Sequence, residues 1–138
     1  MEDAAAVGDC AGTRKLRGLL HAGVTAVWSQ VLAAPEQQVA TLDDTIAALR
    51  SRWAGDPGRA EVVNSRLRDL DAEVAATLSL CAERSDTEWI EPVDAISASV
   101  VALMQGTVLR WLADGDDEVT LIVLDDLVSI LLTKAVES

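Results

Sequence analysis

The last third of the chain, residues 92–136, is apolar to a degree that restricts how it can fold. No charged residue lies between Ala95 and Leu109, and from Val119 to Val136 the polar residues form little more than one narrow stripe. Both segments read as long helices, and a helix that is apolar around most of its circumference must be covered on more than one side. One side can face the chain's own core. A second copy of the chain would most simply cover the other, so this segment predicts self-association.

The rest of the sequence predicts an all-α fold of five to six helices. Apolar residues three or four positions apart indicate helices at about 13–34, 36–54 and 57–84, and the last third adds helices at about 92–114 and 116–136. No segment has the two-residue period of a strand. We expect residues 1–12 to be a flexible leader and residues 13–138 to form one domain, which is a size that can bury a substantial core.

The charge balance argues against nucleic acid as a direct partner. The chain has 23 acidic and 11 basic residues and a formal charge of −12. Such a surface repels phosphate backbones. The compact basic cluster Arg14, Lys15 and Arg17 is predicted to be a solvated first helical turn.

Cysteine content and hydropathy favour a soluble protein of the reducing cytoplasm. Cys10 and Cys81 are the only cysteines and suggest neither a disulfide framework nor a metal set. Residues 1–12 are acidic and lack the apolar core of a signal peptide. The uncharged run at 95–109 is too short to span a bilayer. We therefore expect no membrane partner.

No motif indicates catalysis, a metal site or a cofactor. His21 is the only histidine, and no recognisable motif places a nucleophile beside it. The acidic run at 114–118 has its glycine at the second position, whereas a calcium loop needs it at the sixth. The run is explained by a glycine that ends one helix and by acidic residues in the first turn of the next. No glycine-rich phosphate loop is present. We predict that the chain is not an enzyme.

The aromatic residues leave two interpretations open. The four tryptophans, Trp28, Trp53, Trp89 and Trp111, are the only aromatic residues, and each lies in a different element. They either fill the core or line a cavity for an apolar molecule. Gln105, in an otherwise uncharged stretch, needs a partner if it is buried, and that partner could be backbone, a symmetry mate or a ligand.

The fourth and fifth predicted helices carry a family resemblance. The segments PVDA at 92–95 and VALMQGTVLRWLADGD at 101–116 resemble the C-terminal effector domain of TetR-family transcriptional repressors. The segments at 32–35, 42–49 and 66–70 are similar to the middle helices of that domain, so the resemblance extends over residues 13–138. It implies that the last two helices pair with those of a second copy in a four-helix dimer interface. The residues expected there are Gly106, Val108, Leu109, Leu112, Leu124, Val128, Leu131 and Leu132.

The resemblance also implies a binding site for a small, largely apolar molecule among the first four helices. Aromatic, methionine and aliphatic side chains on or beside the apolar stripes are the expected wall: Trp28, Leu49, Trp53, Leu78, Val100 and Met104.

One departure from the family pattern bears on function. Family members begin with a three-helix DNA-binding unit, and only about twelve residues here precede the first predicted helix. The chain is expected to be either an excised effector domain or a protein that naturally lacks the DNA reader. The leading hypothesis is a dimeric ligand-sensing domain. The alternative is a helical interaction module that forms homo- or heterodimers without a ligand.

Overall fold

The computed structural model describes the backbone of residues 2–138 and the side chains of residues 11–138. Over this range the chain forms five helices and two three-residue strands, which confirms the predicted all-α class. Most of the leader predicted at residues 1–12 lies outside the described side chains. The elements in chain order are α1 (Glu2–Ala33), α2 (Pro35–Trp53), α3 (Gly58–Ser85), β1 (Thr87–Trp89), α4 (Val93–Asp114), α5 (Asp117–Leu132) and β2 (Ala135–Glu137).

The helix ends follow the local chemistry of proline, glycine and aspartate. Pro35 begins α2. The N–H of a residue in the first turn has no acceptor within the helix, so proline, which has no N–H, loses no hydrogen bond there. Gly115 ends α4 with a φ of 64°, a left-handed conformation that costs glycine little. The side chain of Asp116 then accepts a hydrogen bond from the Val119 N–H and caps α5.

The C-terminal residues form a strand where the apolar pattern predicted more helix. The α5 helix ends at Leu132, and β2 pairs antiparallel with β1, with Thr87 opposite Glu137. The N–H of Ile90 extends this ladder to the carbonyl of Lys134 at 2.9 Å. The prediction that the chain has no strand is wrong here, because three residues are too few to show a two-residue period.

Strand β2 also ties the C-terminus to α1. A carboxylate oxygen of Glu137 accepts hydrogen bonds from the backbone N–H and the hydroxyl of Thr13, both at 2.9 Å. A Cβ atom on Gly12 would overlap this carboxylate, so a larger residue there would require the Glu137 side chain to shift. The N–H of Ser138 adds a bond of 3.0 Å to the carbonyl of Asp86.

Two apolar clusters hold α1, α3, α4 and α5 together. In the smaller cluster, Trp28 packs edge-to-face on Trp111 with ring centroids 5.6 Å apart, beside Val31 and Leu124. Helix α2 contributes to neither cluster and packs mainly on α3. The larger cluster consists of Leu16, Leu20, Leu78, Cys81, Ile96, Val100, Leu127, Val128 and Leu131.

Candidate ligand-binding groove

A groove of about 460 Å³ lies between α1, α2 and α4. It exists because α2 packs chiefly on α3 and makes few contacts with α1 and α4, which leaves space between the three helices. This volume is in the range of small-molecule sites, roughly 300–1,000 Å³. The lining residues are Val27, Gln30, Val31, Gln38, Thr41, Leu42, Thr45, Met104, Gln105, Gly106, Val108, Leu109 and Leu112.

The groove is uncharged, although the chain as a whole is strongly acidic. None of its lining residues is ionisable, whereas the formal charge of the chain is −12. Met104, Val108 and Leu112 provide half-buried apolar surface. The amides of Gln30 and Gln105 can donate and accept hydrogen bonds. The chemistry of this lining matches a neutral molecule that is mostly apolar and has a few polar atoms.

The structure distributes the six predicted ligand-wall residues over the groove, the two apolar clusters and the solvent side of α2. Met104 lines the groove. Leu78 and Val100 belong to the larger cluster, and Trp28 is in the smaller one. Leu49 and Trp53 lie on the solvent side of α2, with Trp53 84 % exposed. An apolar stripe in a sequence does not identify the element that packs against it. For this reason the six predicted residues lie in different parts of the structure.

Several groove residues were not expected from the sequence. Thr41 and Thr45 come from α2, and the Thr45 hydroxyl donates to the Thr41 carbonyl at 2.9 Å. Leu42 also lines the groove, as one of the apolar residues that mark α2 as a helix. Threonines on a helix give no sequence signal for a groove, so only the placement of α2 identifies them.

The predicted dimer residues also lie in different places. Leu124, Val128 and Leu131 are buried inside this chain, so their side chains are already covered without a second copy. Leu132 packs at the edge of the larger cluster. The remaining four lie on α4 and line the groove between α1, α2 and α4: Gly106, Val108, Leu109 and Leu112.

A second, smaller groove separates α4 from α5. It has a volume of about 230 Å³. Ala102, Leu103, Val119 and Val123 supply the aliphatic part of its lining, and Arg110 and Asp114 add charged side chains. Gly106 lines both grooves, so α4 forms a wall between them. We call the surface made by Ala102, Leu103, Gly106, Val119, Ile122, Val123 and Ile130 the α4–α5 face.

The acidic run after α4 is used in local hydrogen bonds. Asp114 accepts from the Asp116 N–H at 2.9 Å, and Asp117 accepts from the Trp111 indole N–H at 2.8 Å. The Arg110 Nε lies 3.9 Å from the Asp114 Oδ2. Within the described part of the chain, no three histidine, cysteine or acidic residues are grouped so that they could hold a metal ion.

His21 and Cys81 lie in different environments. His21 is exposed on α1, and Cys81 is in the larger cluster. Burial raises the pKa of the Cys81 thiol, and the nearby Arg84 charge opposes that shift. The thiol therefore stays protonated at neutral pH.

Helix α4 is, by length and composition alone, long and apolar enough to cross a membrane. Its most apolar 18-residue window has a mean hydropathy of 1.3. Core helices of water-soluble proteins meet the same criteria. In this structure α4 packs against α3 and α5, and its exposed side borders both grooves. That side is uncharged at the first groove and carries Arg110 and Asp114 at the second.

No protein-family model, curated protein or solved structure matches this chain.

Proposed function

We propose that this chain is a small-molecule-sensing and dimerisation domain of the TetR-like effector type, acting in the cytoplasm. The uncharged groove between α1, α2 and α4 carries this proposal. The resemblance of residues 92–116 to the family's effector helices supports it, as does the helical fold. The charge of −12 is consistent with leaving DNA contact to another polypeptide or segment.

The groove selects for neutral ligands by desolvation. A charged ligand entering it would lose hydration and meet no opposite charge among the lining side chains. A neutral, mostly apolar molecule would gain from burial at Met104, Val108 and Leu112 and could satisfy its polar atoms at glutamine amides. The same lining disfavours nucleotides and other phosphorylated compounds.

We expect a carboxylate placed in the groove to weaken the binding of the neutral dye Nile red. Leu109 and Gln105 line the groove and are exposed, so Leu109→Glu and Gln105→Glu should fold normally. Each variant should raise the dissociation constant of the dye about 10-fold or more, because the entering dye would desolvate the new carboxylate. Fluorescence titration measures this change.

The matched control is Val62→Glu on α3, which changes another exposed aliphatic residue outside the groove. It should bind the dye like wild type. Equal weakening in the control and the groove variants would contradict the site, as would a wild-type protein that does not bind the dye.

The exposed area of the chain supports the dimerisation half of the proposal. The accessible surface is 8834 Å². A compact monomer of this mass, 14.6 kDa, exposes about 6,900 Å². Even if the first ten residues are allowed the area of a fully unfolded segment, about 1,400 Å², the rest of the chain still exceeds its expected area by about 900 Å². A standard interface covers about 800 Å² on each partner.

The α4–α5 face is the surface that a second copy would cover. Ile122 and Ile130 project to solvent on α5, and Leu103 is exposed on α4. Glycine inside a helix costs about 1 kcal/mol relative to alanine. A Cβ on Gly106 would meet nothing within 4 Å, so no contact in the described part of the chain requires glycine there. Close approach of a second copy's helix would account for it.

We expect Leu103→Glu to dissociate the α4–α5 dimer, because the variant replaces an apolar contact with a carboxylate that loses its hydration when the second copy binds. Its dissociation constant should rise about 100-fold or more, as measured by light scattering after size-exclusion chromatography. Leu80→Glu on α3 is the control, since Leu80 is 43 % exposed and Leu103 is 42 % exposed. Retention of the dimer by Leu103→Glu would exclude this face.

The second candidate function is an interaction module without a ligand. The exposure of Trp53 favours it, because a tryptophan that protrudes from a helix is a common anchor at protein interfaces. Such a chain could pair with a TetR-like regulator and form heterodimers. Formation of mixed dimers with a full-length relative, together with no binding of Nile red, would favour this module over the sensor.

A further inference from the structure

The apolar stripe of α2 faces solvent. Val39, Ile46, Leu49 and Trp53 are exposed, with Ile46 at 42 %, and Leu42 between them is half-buried at the groove. These residues recur at alternating spacings of three and four, which is the pattern of a coiled-coil seam. In a coiled coil, a second helix covers such a seam.

No other element of the described structure covers this stripe. The buried residue of α2 is Ala48, and the main neighbour of the helix is α3. The stripe thus contributes to the large exposed surface of the chain. Scattered apolar residues are ordinary on a protein surface, whereas a contiguous apolar row along one helix marks an interaction site.

The charges of α2 identify what can cover the stripe. Glu36, Asp43 and Asp44 lie in the N-terminal half of the helix, and Arg50 and Arg52 lie at the C-terminal end. Neither arginine forms an ion pair with any residue whose side chain is described. The helix is therefore complementary in charge to a reversed copy of itself.

We infer that α2 is a second self-association surface, on which two copies of this chain pair their α2 helices in antiparallel orientation. In this orientation the arginine end of each helix lies against the aspartate half of the other, whereas a parallel pair would oppose like charges. The contact is isologous. With the α4–α5 face it gives each chain two different two-fold contacts, so assemblies larger than a dimer form. The inference does not depend on the ligand groove.

Analytical ultracentrifugation of charge-reversed chains tests the inference. Arg50→Glu/Arg52→Glu should weaken the α2 contact about 10-fold or more, because its ion pairs become repulsions. Adding Asp43→Lys/Asp44→Lys to the same chain restores the complementarity with reversed sign and should restore the assembly. The control Arg66→Glu/Arg68→Glu changes two exposed arginines with the same spacing on α3 and should sediment like wild type.

Ile46→Glu supplies an apolar test of the same surface, and it should remove the larger assembly while leaving the α4–α5 dimer. Leu103→Glu should do the reverse, so the two contacts can fail separately. The inference is overturned if Ile46→Glu leaves sedimentation unchanged, or if the four-residue reversal fails to restore what the arginine reversal removes. Wild-type protein that stays dimeric but floats with phosphatidylcholine vesicles through this stripe would also overturn it.

Discussion

Val128→Asp is expected to unfold the protein at every concentration. Val128 is 1 % exposed, at the centre of the larger cluster between α1, α3, α4 and α5. An unpaired carboxylate there would cost several kcal/mol, comparable with the whole stability of a small domain, about 5–15 kcal/mol. The near-ultraviolet circular dichroism of the folded chain should be lost, and thermal melting should show no cooperative transition.

The control for this variant is Ile122→Asp on the same helix. Ile122 is 58 % exposed, so a carboxylate there stays hydrated and the chain should remain folded. The pair separates two interpretations of α5. If Val128 faced a second copy, Val128→Asp would give a folded monomer, and that result would contradict the packing described above.

Trp28→Ala is expected to lower the free energy of unfolding by about 3–5 kcal/mol, the range for removing a buried tryptophan. Trp28 is 5 % exposed and packs edge-to-face on Trp111 in the smaller cluster. Met104 and Val108 pack against that cluster and also line the groove. The cavity left by Trp28 should therefore weaken Nile red binding as well. Urea denaturation followed by circular dichroism measures the stability.

Trp53→Ala is the matched control, since it removes the same side chain from a site that is 84 % exposed. At a protein concentration low enough to prevent association, it should change stability by about 0.5 kcal/mol or less. Similar losses for the two variants would mean that the two tryptophans are not in the different environments described here.

Helix type and most helix ends followed from local sequence. Pro35, Gly115 and Asp116 act through their own backbone or side-chain chemistry, so their positions predicted the start of α2, the end of α4 and the start of α5 to within one or two residues. Pro92 is the N-cap of α4, so this helix begins at Val93, one residue later than predicted. The end of α5 was missed, because pairing with β1 depends on residues about fifty positions away.

The partners of each apolar face could not be predicted in the same way. Leu124, Val128 and Leu131 were expected to meet a second copy, and α1, α3 and α4 cover them instead. The stripe of α2 has the same spacing as a core-facing stripe but is exposed. Periodicity reports that a face is apolar, and the tertiary arrangement decides what covers it.

The groove illustrates the same limit. Its outer wall depends on α2 packing on α3 rather than on α1 and α4. Of the six residues expected to line a cavity, Met104 does so, because it lies on the side of α4 that faces α1 and α2. The sequence singled out Gln105 for a partner of unknown kind, and it assigned Gly106, Val108, Leu109 and Leu112 to the dimer interface instead. The polar lining residues of α1 and α2 are not distinguished in the sequence from ordinary helix-surface residues.

Native mass spectrometry of protein purified without added ligand tests the sensing proposal most directly. We expect assemblies of two or more chains that carry a small non-covalent adduct, which is released when the protein is unfolded and whose mass identifies the ligand class. A bare single chain, which binds no Nile red and does not associate at higher concentration, would contradict both the groove and the association faces.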